Sequence, residues 1–287
     1  MQFRDITIVN VDGRRGDLLH TQYALAHSAR ELPGARALLL SPERPTQLLD
    51  GITHVEIQPL GYLEYNLFVV YALHRFISTE FALIVQDDGW VLAGSAWQDS
   101  FTDYDYIGAP AHFARVTDHS GARYTQRFDW VDALQEPSTR VEIVMNGGFS
   151  LRSRKLLQSP TQLGLPYILP ASSGLSGPPY QMAWELGSHL EDSQLCIAMR
   201  SSLQSAGVRF APLEVARQFA FEHLHPKLHA GLNLMQVFGH HSRLRKLTSL
   251  SPPTLSYQAT IDELCAILGE NHIGEVFRER GYRIQVR

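Results

Sequence analysis

Two adjacent carboxylates stand where an apolar run stops: Phe81-Ala82-Leu83-Ile84-Val85 leads into Gln86-Asp87-Asp88-Gly89. In open α/β sheets ligands sit in the crevice beyond the carboxyl ends of the strands, so acids delivered there suit a metal or phosphate site. Side chains alternate along a strand, which puts Gln86 and Asp88 on one side and Asp87 on the other. The plainer alternative is a turn, since Asp bonds its own backbone and Gly accepts positive φ. Further polar groups have comparable positions: Asp12, Asn146-Gly147-Gly148, Glu191-Asp192 and His240-His241. Paired glycines let a backbone approach a ligand, and a second acid can take a proton from an acceptor hydroxyl. Together these groups suit a metal-assisted transfer from a diphosphate donor. Magnesium or manganese needs only one or two protein carboxylates when substrate phosphates complete its shell.

The elements that must position these groups alternate. Ile6 to Val11 reads as a strand, Asp12 to Gly16 as a loop, about Leu18 to Ala29 as a helix and Ala35 to Leu40 as a second strand. Such β-loop-α-β alternation argues for a mostly parallel sheet with helices on its faces. The first loop has neither a dinucleotide fingerprint nor a P-loop pattern. Val55 to Gln58 is a short strand, and Tyr65 to Ile77 has helical spacing, with Asn66 either capping that helix or facing a ligand. Residues 111–140 read as a long polar excursion, Val141 to Met145 as a strand, and Asn146-Gly147-Gly148 as a strand-to-helix turn whose amides could meet phosphate or sugar. Pro166 to Tyr180 is a loop able to act as a lid, before a helix over Trp184 to Met199 that carries Glu191-Asp192. Val208 to Pro212 is a short strand, and Thr260 to Arg287 two short helices with a polar tail.

Composition narrows the setting. The 287 residues fit one large domain or two small ones, with 44% hydrophobic and 19% charged residues as in an ordinary globular protein. A net charge of −4 gives no general pull toward nucleic acid or anionic membrane. Two cysteines, Cys196 and Cys265, without CxxC spacing indicate a reducing compartment, and no apolar stretch is long enough to span a membrane. A cytoplasmic protein is expected, with peripheral membrane contact compatible. His223, His225, His229, His240 and His241 crowd one region, yet their spacing fits no zinc motif.

The run Tyr65-Asn66-x-Phe68, Gln86-Asp87-Asp88-Gly89, Tyr104 to Pro110 (YDYIGAP), Asn146 to Lys155 (NGGFSLRSRK), Glu191-Asp192 and Phe238-Gly239-His240 resembles a family of bacterial glycosyltransferase-like proteins. The resemblance covers roughly residues 6–242 and implies an α/β domain of the GT-A type, which binds a nucleotide sugar and holds a divalent metal on the donor diphosphate through an Asp-x-Asp motif. Carried across, Asp88 is the last acid of that motif and His240 the extra metal ligand. Val11 and Asp12 grip the nucleoside, Asn66, Gln86 and Asp87 border the donor, and Asn146, Gly147 and Gly148 border the donor sugar or the acceptor. Asp192, with Glu191 beside it, supplies the base. Gln86 departs from the pattern, because the first motif position is normally an acid and an amide binds a hard cation only through its carbonyl oxygen.

What the resemblance implies is a transferase moving sugar from a nucleotide diphosphate, most commonly a UDP-sugar, to a hydroxyl of a surface glycan or glycolipid. The cofactor is manganese or magnesium, and the base at Glu191-Asp192 favours inversion. Two other readings are a metal-dependent phosphoesterase or nucleotidyltransferase, and a non-catalytic carbohydrate- or nucleotide-binding protein on a degenerate fold. Residues 1–250 are expected to form the GT-A-like domain and 251–287 a helical extension.

Overall fold

The computed structural model describes residues 3–169, 174–184, 187–267 and 269–286. Strand β1 (Ile6–Val11) is buried along its whole length, which its nearly unbroken apolar run requires. Helix α1 (Leu19–Glu31) turns Ala24, Leu25 and Ser28 inward, and β2 (Arg36–Ser41) and β3 (Ile52–Glu56) follow. Helix α2 (Tyr62–Tyr71) buries Asn66, Val69 and Val70 before β4 (Phe81–Val85). The four strands pair in parallel in the order β3-β2-β1-β4.

After β4 the chain leaves the sheet through β5 (Gly89–Val91) and returns in β6 (Tyr106–Asp118), β7 (Gly121–Thr125), α3 (Trp130–Ala133), β8 (Arg140–Ser153) and α4 (Arg154–Gln162). The full sheet runs β3-β2-β1-β4-β8-β6-β7, with β8 antiparallel to both β4 and β6. Strand β6 therefore runs with β1 to β4, and only β8 and β7 oppose them. This is the mostly parallel α/β sheet flanked by helices that the alternation predicts.

Three expectations fail here, each for a physical reason. Residues 111–140 are not an excursion, because β6 extends to Asp118 and pairs with β7. Its outer half alternates buried and half-exposed residues, and cross-strand partners such as Arg115 and Glu142, 2.6 Å apart, give it a polar look in sequence. Asn146-Gly147-Gly148 is not a turn either: β4 and β6 flank β8 on both sides, so the strand runs on to Ser153, whose hydroxyl accepts from Leu156 N–H and caps α4. The helix expected over Trp184 to Met199 is cut short. After β9 (Gly174–Ser176) and β10 (Gln181–Ala183) come α5 (Glu191–Ser193), a wider π turn over Gln194–Ala198, and α6 (Arg200–Ser205). Part of the expected lid, residues 170–173, lies outside the described residues.

Helix α7 (Leu213–Phe219) leads to β11 (Ala220–Phe221), β12 (Gly239–His241), β13 (Arg245–Leu250) and β14 (Pro253–Tyr257), then α8 (Ile261–Ala266), α9 (Glu270–Glu279) and β15 (Arg283–Val286). Strands β11, β12 and β5 form one small sheet and β13, β14 and β15 another. A cut after residue 250 would part β13 from its antiparallel partner β14, so 251–287 is not a helical extension. Leu255, Tyr257, Ile273 and Phe277 instead complete a second core with Trp90, Phe221 and Leu247. That core fixes β5 and β12 beside the main sheet.

Candidate active site

The site is built where β4 ends. Gln86 N–H donates to Gly148 O at 2.9 Å, which continues the β4–β8 ladder one residue beyond the strand. The chain then turns, and β5 pairs antiparallel with β12 so that Gly89 faces His241 and Trp90 faces His240. This register brings His241 Nε2 to 3.0 Å from Gln86 Oε1 and 3.1 Å from Asp88 Oδ1. The cradle needs a glycine: a Cβ on Gly148 would collide with His241 Nε2 and stand 2.5 Å from Gln86 Oε1.

Alternation along β12 sends His240 the other way. Its ring is fully buried edge-on to Trp90, with centroids 4.1 Å apart, and 5.0 Å from Phe277. The expectation that His240 meets Asp88 is therefore corrected to His241. Burial pushes the His240 imidazole well below its ordinary value, as suits a neutral core ring. For His241 burial also works against the charge, but the Asp88 carboxylate outweighs it and the imidazole is raised. Burial pushes Asp88 up, and His241 and Lys246 more than offset this, holding it down to about 2.

Asp87 and Asp88 occupy the turn between β4 and β5, closed by Gly89 N–H donating to Gln86 O at 3.3 Å, so the plainer turn reading holds and strand alternation does not apply. The two Asp87 oxygens meet Lys246 Nζ at 2.6 Å and Arg14 Nη2 at 2.9 Å. Arg14 also pairs with Asp12 at 2.7 Å, and Thr21 donates to Asp12 at 3.0 Å. Burial pushes Asp12 up, yet the Arg14 guanidinium holds it below the usual range. Asp12, Arg14, Asp87 and Lys246 line a cavity of ≈ 380 Å³ at the carboxyl ends of β1 and β4, together with Asn10, Val11 and Tyr62.

A second cavity, of ≈ 550 Å³, shares Tyr62, Tyr65 and Gln86 with the first and holds Asp88, His241, Asn146, Glu191, Asp192 and Glu222. The two acids of α5 differ. Glu191 is bound to the fully buried Arg152 at 2.8 Å, and its N–H donates to Asn66 Oδ1 at 2.8 Å. Asn66 is thus a clamp between α2 and α5, neither helix cap nor free ligand group. Asp192 accepts from Gly147 N–H at 3.2 Å, and burial together with the Glu191 charge pushes it up to about 7. Asn146 spends its side chain on Gly148 N–H (2.7 Å), Phe149 N–H (3.4 Å) and Glu222 (3.3 Å). It therefore shapes the strand under the cavity.

The residues fit a divalent ion. An amide oxygen, a carboxylate oxygen and an imidazole nitrogen converge at 3.0 and 3.1 Å, and the missing Cβ of Gly148 lets the Gln86 and His241 atoms pack this closely against β8. Gln86 is oriented for this because its amide nitrogen donates to Tyr65 OH at 2.7 Å, which turns the carbonyl toward His241. Sequence reasoning found the His240-His241 pair but chose the wrong member, and it missed Lys246 and Glu222. Strand period over Gly239 to His241 could have separated His240 from His241; Lys246 and Glu222 carry no local signal.

The profile of a family described as "Protein of unknown function (DUF5672)" matches residues 63–241. None of the curated proteins compared with the sequence matches it. Among solved structures the chain is similar to the galactosyltransferase LgtC in complex with donor and acceptor sugar analogues, 11% identical over 96% of this chain and 99% of that one, with a TM-score of 0.41. It is also similar to a mannose-1-phosphate geranyltransferase from Thermus thermophilus, 15% identical over 73% of this chain and 70% of that one, with a TM-score of 0.31. Likenesses this distant say nothing of substrate.

Proposed function

The chain belongs to the DUF5672 family, and from its paired cavities we propose that it is a glycosyltransferase that moves a sugar from a nucleotide diphosphate to an acceptor hydroxyl. The observation that carries this reading is the meeting of Gln86, Asp88 and His241 where a cavity lined by Arg14 and Lys246 adjoins one that holds Asp192.

In this reading the cavity beside Val11, Asp12 and Asp87 takes the nucleoside and diphosphate of a UDP-sugar. Arg14 and Lys246 turn from their carboxylate partners toward phosphate oxygens. Gln86, Asp88 and His241 would hold manganese or magnesium, which when bound neutralises charge on the departing diphosphate. His241 must give up its proton to bind the ion, so Asp88 exchanges one positive partner for another. Asn146, Gly147 and Gly148 form the floor under the sugar.

Asp192 is the base. With its carboxyl pushed up to about 7 it is part-ionised near neutral pH, the range in which a general base takes a proton most effectively. It would accept the proton of a glycan or glycolipid hydroxyl as that oxygen attacks the anomeric carbon from the face opposite the diphosphate, inverting the centre. Glu191, engaged with Arg152, positions Asp192 and keeps its charge form costly. No helix among the described residues is long and apolar enough to cross a membrane.

A thermal-shift screen of UDP, GDP, CDP and dTDP sugars with and without manganese tests the reading, since a ligand that binds only the folded state raises Tm. A shift with one nucleotide series, lost in Asp88→Asn, supports it. No shift in any series removes it.

A further inference from the structure

Beyond the trio at Asp88, the same cavity has a second group of ligand-type side chains, contributed by two distant parts of the chain. His112 lies in β6, where the ladder with β8 shifts register between Pro110 and Ala114, an irregularity of the kind that re-aims a side chain. Glu222 and His223 follow β11 directly. One ligand atom from each of the three lies within 4.8 Å of the others.

Their surroundings leave ring nitrogens of both histidines and one Glu222 oxygen without a hydrogen bond. Glu222 Oε2 takes the Asn146 amide at 3.3 Å, while Oε1 faces His223 Nε2 at 3.9 Å and His241 Nδ1 at 4.0 Å. Those separations are too long for a hydrogen bond and exceed by only about half an ångström the roughly 3.4 Å between two atoms that share one tetrahedral ion at ~2.1 Å each. The Nδ1 atoms of His112 and His223 are buried without a hydrogen-bond partner. Buried polar atoms left in this state call for an explanation, and a missing ion is one.

We infer that His112, Glu222 and His223 form a second metal site, selective for an imidazole-favouring dication of the zinc class. Two imidazoles and one carboxylate suit zinc or cobalt, whereas the oxygen-richer trio at Asp88 suits manganese or magnesium. A tetrahedral ion at ~2.1 Å from each atom sets neighbouring ligand atoms roughly 3.4 Å apart, so the widest pair must close by as much as about 1.4 Å to reach a common ion. The absence of a zinc spacing in the sequence is no obstacle, since His112 is brought in by the sheet and not by a local motif. Three protein ligands leave a further position open, and the cavity that all three residues line also contains Asp192. The site is independent of the transferase reading and stands or falls separately.

Cobalt titration of the full chain, followed by visible absorption, tests the inference. One equivalent of Co²⁺ should bind with the intense visible bands of a low-coordinate site, remain in Asp88→Asn, and weaken at least tenfold in His112→Ala and in Glu222→Gln. Circular dichroism verifies that each variant folds. If His112→Ala does not fold, histidine modification of the wild-type chain by diethylpyrocarbonate replaces it, and zinc should protect His112 and His223 in Asp88→Asn as well as in wild type. Equal cobalt uptake by wild type and His112→Ala, loss of binding in Asp88→Asn alone, or no protection of the two histidines would overturn the site.

Discussion

His241 Nε2 stands 3.1 Å from Asp88 Oδ1, and each holds the other in its charged form. Asp88 is lowered to about 2, so its contribution to stability is present above its ordinary value of 3.8 and is lost as pH falls toward about 2. The raised His241 contributes below its ordinary value of 6.5, and this is lost as pH rises through its raised value. His241→Gln should therefore lower Tm more at about pH 5.5 than at about pH 9. An equal loss at both would remove the ion pair from the account.

Asp192 should trade stability for chemistry. Its raised carboxyl makes the ionised form costly in the fold, so Asp192→Asn should keep or raise Tm at about pH 8 while turnover falls ~10²–10⁴-fold. Donor affinity should be unchanged. In wild type, turnover should climb as pH rises through about 7 and then level off. Steady-state kinetics with calorimetric donor binding separates the two effects, and normal turnover in the variant would end the base assignment.

These roles were unevenly legible in the sequence. The apolar run before Gln86 carries strand period, and Asp87-Asp88-Gly89 was legible as the turn that such a run takes, not as alternating strand positions. His241 depends on the register of β5 against β12, a pairing between distant segments that no local pattern encodes. Asn146 to Gly148 looked like a turn because glycine pairs usually punctuate, yet here they leave volume for Glu191, Gln86 and His241 inside a paired strand. Arg152, buried to the last atom, carries no local sign of that burial, and its partner Glu191 reads in sequence as part of the base.

That buried pair carries its own prediction. Removing one member leaves an uncompensated charge in the core, so Arg152→Met and Glu191→Leu should each cost ~3–5 kcal/mol. The double variant should cost less than the sum, because no lone charge remains. Urea unfolding of the four proteins measures the coupling. Strict additivity would mean that the two side chains do not depend on each other.

Gly148→Ala probes the cradle without replacing a ligand residue. The added methyl would press on His241 Nε2 and Gln86 Oε1, so manganese binding should weaken at least tenfold. Cobalt binding at His112 should persist. Unchanged manganese affinity would place the ion elsewhere.

The central claim is that Gln86, Asp88 and His241 hold a dication on the diphosphate of a nucleotide donor. Electron paramagnetic resonance of Mn²⁺ with and without UDP tests it most directly, using wild type, Asp88→Asn and His112→Ala. UDP should tighten Mn²⁺ binding in wild type and in His112→Ala, and should have no such effect in Asp88→Asn. Equal Mn²⁺ binding in wild type and Asp88→Asn in the presence of UDP would contradict the account.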